Sequence, residues 1–157
     1  MIQRPFSVGL NRAIDEIVAR VLPQGFDVDE KSTYLDVVGY WKRTGRIAVS
    51  DLYCDSNIFG SVEMNVKFRA WHDWTHVCWG NDFTLVGEIN TCVQQEKMLD
   101  SLKGRTRVQK QLWARLLWEE IVGQAEYFEQ HRDFPSNQRA FAKAYLKNPF
   151  NTIRRKW

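Results

Sequence analysis

Apolar residues along most of the chain recur at spacings of three and four, the period of a helix with one buried face. Leu10, Ala13, Ile14, Ile17, Val18, Val21 and Leu22 predict a first helix, stopped by Pro23 and Gly25. Gln24 to Lys31 reads as loop. Ser32 or Thr33 can cap a short helix from Tyr34 to Lys42, with the β-branched pair Val37 and Val38 leaving a strand as the alternative. Arg46 to Val49 is a brief extended piece, and Asp51 to Asn57 is loop. A helix opening at Gly60 or Ser61 runs to about Trp79, where Gly80 suits a left-handed cap. Asp82 or Thr84 caps the next helix, which reaches about Leu102 and is stopped by Gly104. A long helix follows from Thr106 to about Gln130. The last runs from Asn137 to Leu146 and is closed by Pro149. The expectation is a mainly α, single-domain, bundle-like array of five or six helices over residues 1–157, with at most a minor β element.

Composition narrows the function classes. A length of 157 residues with 44% hydrophobic and 26% charged residues fits one soluble domain with its own core. A net charge of +3 is too small to make nucleic acid the expected partner. No apolar run is long enough for a membrane span, and the N-terminus has no secretory pattern. The three cysteines, Cys54, Cys78 and Cys92, lack C-x-x-C spacing, which suits reduced thiols better than a disulfide framework. The seven tryptophans point either to a core rich in large rings or to a lined cleft.

The candidate chemistry lies in the third predicted helix. His72 and His76 are four residues apart and share one face, a spacing at which two imidazoles can close on one metal ion. Asp73 sits about 100° around the helix from His72, where it can support the site from one side. Glu88 follows Gly80 by eight residues and His76 precedes it by four. An antiparallel turn therefore brings the two near one end of the helix pair. In the long helix Glu120 and Gln124 form a further i, i+4 pair, with Glu119 as neighbour. The expected centre holds a divalent ion, Zn, Fe or Mn, through His72, His76 and Glu88, with Glu120 as fourth ligand or base. Asp73, Glu120 and Gln124 are the residues expected to serve the reaction around it. The alternative is a solvated Glu119–Glu120 face and histidines satisfied structurally. The shorter Asp in H-D-x-x-H argues against a zinc peptidase, and the absence of an earlier His argues against an HD-type phosphohydrolase. His131 reads as a surface residue or a helix-dipole contact.

These residues resemble a family of uncharacterised proteins of bacteriophage and prophage origin. Its pattern is N-x-x-FRA-x-HD-x-x-H, then a glycine, a phenylalanine and a GE pair, then a later Glu and a GQ pair. Here the matching residues are Asn65, Phe68-Arg69-Ala70, His72-Asp73, His76, Gly80, Phe83, Gly87-Glu88, Glu120 and Gly123-Gln124, within about residues 33–128. The upstream stretch of Asp36-Val37 and Gly45 to Val49 is also similar. One departure stands out: family members carry a His on the helix after GE, where this chain has Gln94-Gln95-Glu96. Any role of that His is lost here or passes to Glu96. The resemblance implies phage origin and a shared polar centre, and no particular reaction.

Two functions follow as expectations. One is a metal-dependent hydrolase of unknown substrate working in the host cytoplasm. The other is a non-enzymatic phage protein, a virion component or a binder of a host factor, whose His/Glu cluster fixes helix registry. A homo-oligomer or a phage or host protein partner suits either, and a membrane suits neither.

Overall fold

The structure, a computed structural model, describes residues 3–31 and 33–157. In order the elements are α1 (Val8–Val21), β1 (Asp27–Val28), α2 (Tyr34–Thr44), β2 (Ala48–Val49), α3 (Val62–Trp79), α4 (Leu85–Asp100) and α5 (Arg107–Trp118). A π-helical segment (Glu119–Gly123), α6 (Gln124–His131), α7 (Gln138–Tyr145) and α8 (Pro149–Arg154) follow.

Side-chain caps set most of the starts. Ser7, Thr33, Ser61, Thr84, Thr106 and Asn137 each accept a hydrogen bond from the backbone N–H three residues on, satisfying one of the orphan donors of a helix start. Thr33 is therefore the cap of α2, and Thr84 rather than Asp82 caps α4; Ser32 lies outside the described residues. Gly45 and Gly80 end α2 and α3 in the left-handed conformation, at φ 69° and 67°.

The mainly α expectation holds, with differences in detail. All six expected helices form. The helix alternative wins over the strand at residues 34–44, where cap and glycine agree. A seventh helix begins at Pro149, which was expected to close its predecessor. Asn148 caps α8, and Pro149 occupies the first helical position, where a missing N–H costs nothing. The loop before α2 contains β1, which pairs in parallel with β2 through Asp27↔Ala48 and Val28↔Val49. Asp27 anchors that pair: it accepts from Arg46 Nε and Nη2, both at 2.8 Å, and from the Tyr40 hydroxyl at 2.9 Å.

The main core draws Leu10, Ile14 and Ile17 from α1, Phe68 and Trp71 from α3, Cys92 and Leu99 from α4, and Trp113, Leu116 and Leu117 from α5. Both deeply buried tryptophans keep their N–H occupied, Trp71 on Met98 Sδ and Trp113 on Ser7 Oγ. A second small cluster, Tyr127, Phe141 and Tyr145, joins α6 to α7. His131 belongs there rather than to open surface: it stacks on Tyr127 and meets the Ile153 carbonyl of α8 at 2.7 Å. The three cysteines are free, Cys54 and Cys92 buried and Cys78 exposed. No described helix is long and apolar enough to cross a membrane.

Candidate metal centre

α3 and α4 run antiparallel. Moving back along α3 from His76 through His72 to Trp71 corresponds to moving forward along α4 from Glu88 through Gln95 to Met98. Two glycines make room near the site, Gly87 for the turn that leads into α4 and Gly123 for a ring of α7. A Cβ on Gly87 would lie 1.9 Å from the Asp82 carbonyl oxygen, so only glycine fits before Glu88. A Cβ on Gly123 would press on the Tyr145 ring at 2.9 Å.

That pairing brings His72, His76 and Glu88 together. His72 Nε2 and His76 Nε2 are 3.0 Å apart, and Glu88 Oε2 is 3.0 Å from the first and 3.2 Å from the second. Their ligand atoms lie within metal-binding distance of one another. Zinc–nitrogen bonds of 2.0–2.1 Å in a tetrahedron put ligand atoms about 3.3 Å apart, so this triangle is close to that of a tetrahedral face.

The outer nitrogens fix the tautomers. His76 Nδ1 faces the Asn81 carbonyl at 2.9 Å, an acceptor only, so Nδ1 carries the hydrogen. His72 Nδ1 lies 2.9 Å from Gln95 Oε1 and donates to it in the same way. In the neutral rings both Nε2 lone pairs then point inward, at each other and at a carboxylate. Only a positive charge, a proton or a metal ion, reconciles three such groups at 3 Å. The rings are also held by aromatic neighbours, Phe68 stacked on His72 and Phe83 edge-on to His76.

Electrostatics agree. Burial acts to lower the His72 pKa, but the Glu88 carboxylate outweighs it and raises the pKa to about 9. Burial acts to raise Glu88, but His72 and His76 overcome it and hold the acid at about 2. The centre is closed on one side and open on the other. The His76 side chain is fully buried, whereas those of His72 and Glu88 keep 15% and 16% of their surface exposed, leaving access for water or a small ligand.

Glu120 and Asp73 flank the trio without joining it. Burial lifts Asp73 to about 6 against the pull of both histidines. Burial likewise lifts Glu120 to about 7, against the positive charges of Arg69 and His72. Gln124 follows Glu120 by one turn and is buried, its amide nitrogen without an acceptor.

Three features were missed at the sequence level. Gln95 is the partner of His72 across the helix pair, whereas Glu96 neighbours Cys92. The spacing offered a signal, since Gln95 follows Glu88 by two helical turns and shares its face. Arg69, one turn before His72 and Asp73 on the same face, was read only as part of a motif. Glu119 and Glu120 are not a solvated face. Five successive residues, Glu119 to Gly123, are buried in the π-helical segment, where the Gln124 N–H bonds the Glu119 carbonyl five residues back. Comparisons with protein-family models, with curated proteins and with solved structures find no match for this chain.

Proposed function

We propose that the chain is a divalent-metal-dependent hydrolase of phage origin, acting in the infected cell, with His72, His76 and Glu88 as its metal ligands. The observation that supports this best is the inward convergence of three ligand atoms whose outer nitrogens are already held by Asn81 and Gln95. A divalent ion bound there would supply Lewis acidity and lower the pKa of a water molecule. The residues around it have the complementary tasks. Glu120, raised to about 7, is suited to take a proton from water near neutral pH and return it to the leaving group. Asp73 and Gln124 are positioning residues, the first beside the histidines and the second one turn beyond Glu120. The partly exposed edge at His72 and Glu88 is the side from which substrate would enter.

Elemental analysis of protein purified without chelator is the first test, followed by hydrolysis assays after loading with Zn, Mn or Fe. The expected result is close to one ion per chain, with turnover lost in Glu120→Gln while metal content is kept. Fewer than ~0.2 ions per chain, unrecovered on adding metal, would sink the proposal.

A second reading has its own support. The His72–Glu88 pair is self-consistent as an imidazolium–carboxylate contact at 3.0 Å, which can fix helix registry in a non-enzymatic phage protein. That reading requires the chain to melt at the same temperature with and without added metal.

A further inference from the structure

We propose that the substrate of this centre carries a phosphoryl group and that Arg69 is the residue that receives it. The inference rests on the metal-centre reading for the trio, and on independent observations for Arg69.

Arg69, His72, Asp73 and His76 follow one another at intervals of three, one and three, so they form one stripe on α3. The guanidinium is oriented from behind. Its Nη1 donates to the Ser50 carbonyl at 3.0 Å and to the Leu52 carbonyl at 2.7 Å, both in the loop after β2. Among the described residues these are its hydrogen bonds, and none of the ion pairs includes it. Nε and Nη2 are thus uncommitted on a half-buried side chain. The side chain leaves α3 one turn before His72 and Asp73 on the same stripe. A guanidinium with one nitrogen tied and two nitrogens free is pre-organised for an oxyanion with little further entropy to lose. Gln95 adds a buried amide nitrogen with no acceptor, beside His72.

The number of oxygens selects the oxyanion. An ion at the trio and the Arg69 guanidinium would be two separate cationic partners. A phosphate monoester has three free oxygens and can meet the ion and the guanidinium at once. A carboxylate offers one negative charge and two oxygens on a single carbon.

The test uses the full chain and inorganic phosphate as the probe, with acetate as the comparison. Metal content is measured first, then phosphate binding by calorimetry on wild type, Arg69→Gln and Arg69→Lys. Gln keeps an amide donor for the loop carbonyls while removing the charge. Metal-loaded wild type is expected to bind phosphate at least about 10-fold more tightly than acetate. Arg69→Gln is expected to lose about 10-fold in phosphate affinity at unchanged metal content, with Arg69→Lys intermediate. Equal phosphate affinity in wild type and Arg69→Gln overturns the proposal, as does equal affinity for acetate and phosphate. If Arg69→Gln fails to fold, Arg69→Lys decides, and undiminished phosphate affinity in it overturns the proposal. A wild-type chain that takes up no metal defeats the metal reading alone. In that case Arg69-dependent phosphate binding by the metal-free chain keeps the oxyanion site, and no binding ends it.

Discussion

Glu88 and Glu119 are the same residue type on packed helices, each with most of its carboxyl out of water, and they are opposites. Two histidines meet Glu88 and hold its acid at about 2. Glu119 is fully buried with neither oxygen bonded, and burial beside Glu120 raises its acid well above the ordinary range. Burial is common to both, so partners decide which carboxyl is charged. The first arrangement is that of a ligand set. The second is an uncompensated cost inside a π-helical turn, the kind of local departure that clusters at functional sites.

The sharpest way to break the contrast is to take the charge from Glu88. Glu88→Gln leaves the geometry but removes the anionic ligand, and chelator-competition titrations should show metal affinity falling by at least about 100-fold. Without metal the same change leaves the His72 charge unanswered in a mostly buried position, at a cost of about 3 kcal/mol in urea unfolding. A variant that binds metal as wild type does would mean the trio is not the ligand set.

Glu119→Gln should act with the opposite sign. A neutral amide of the same shape removes the penalty for ionising a buried acid, so at pH 8 the variant should be more stable by about 2 kcal/mol. The pH dependence follows from the raised pKa. Stability due to this acid is complete below the unfolded value near 4.5 and is lost as pH rises through the higher folded value. The gain of the variant over wild type should therefore be small at pH 5 and grow towards pH 8. Taking the difference also cancels His72, whose raised pKa erodes stability of both proteins between 6.5 and about 9. A gain independent of pH would show that Glu119 is ionised in the fold and has a partner.

The same contrast explains what could be read from the chain. Caps at Ser61, Thr84 and Thr106 and the left-handed Gly80 are chemical signals local to a few residues, and they fixed the helices that carry the site. His72 and His76 are tied by helical spacing, and Glu88 by the symmetry of a short turn, so the trio was legible too. The π-helical segment was not. Trp-Glu-Glu-Ile-Val-Gly reads as ordinary amphipathic helix, and no residue type in it marks the wider turn that the segment adopts where it lies against α4 and α7. The glycines at 87 and 123 were visible as motif letters, but their reason, a carbonyl and a tyrosine ring where a Cβ would stand, exists only in three dimensions. Pro149 was misread because a proline that ends one helix and one that begins the next look alike until Asn148 is recognised as a cap.

Gln95 tests how far the order around Glu88 extends beyond the ligands themselves. Its carbonyl oxygen holds His72 Nδ1 at 2.9 Å and so selects the tautomer that turns the Nε2 lone pair towards Glu88 and His76. Gln95→Leu keeps the volume and the burial but lets His72 rotate or change tautomer. Metal affinity should drop by about 10-fold, the lower end of what such supporting bonds are worth, and Gln95→Glu should restore it by offering a carboxylate to the same N–H. Phosphate affinity of the metal-loaded protein should fall in Gln95→Glu even as metal affinity recovers, because a carboxylate oxygen replaces the free amide donor and repels the dianion. If Gln95→Leu binds metal normally, Phe68 stacking alone orients the ring, and the order seen at Glu88 ends with its immediate contacts. If the Glu variant recovers what the Leu variant loses, the difference between Glu88 and Glu119 is a property of the whole α3–α4 interface, with each inward lone pair supported by an acceptor behind it.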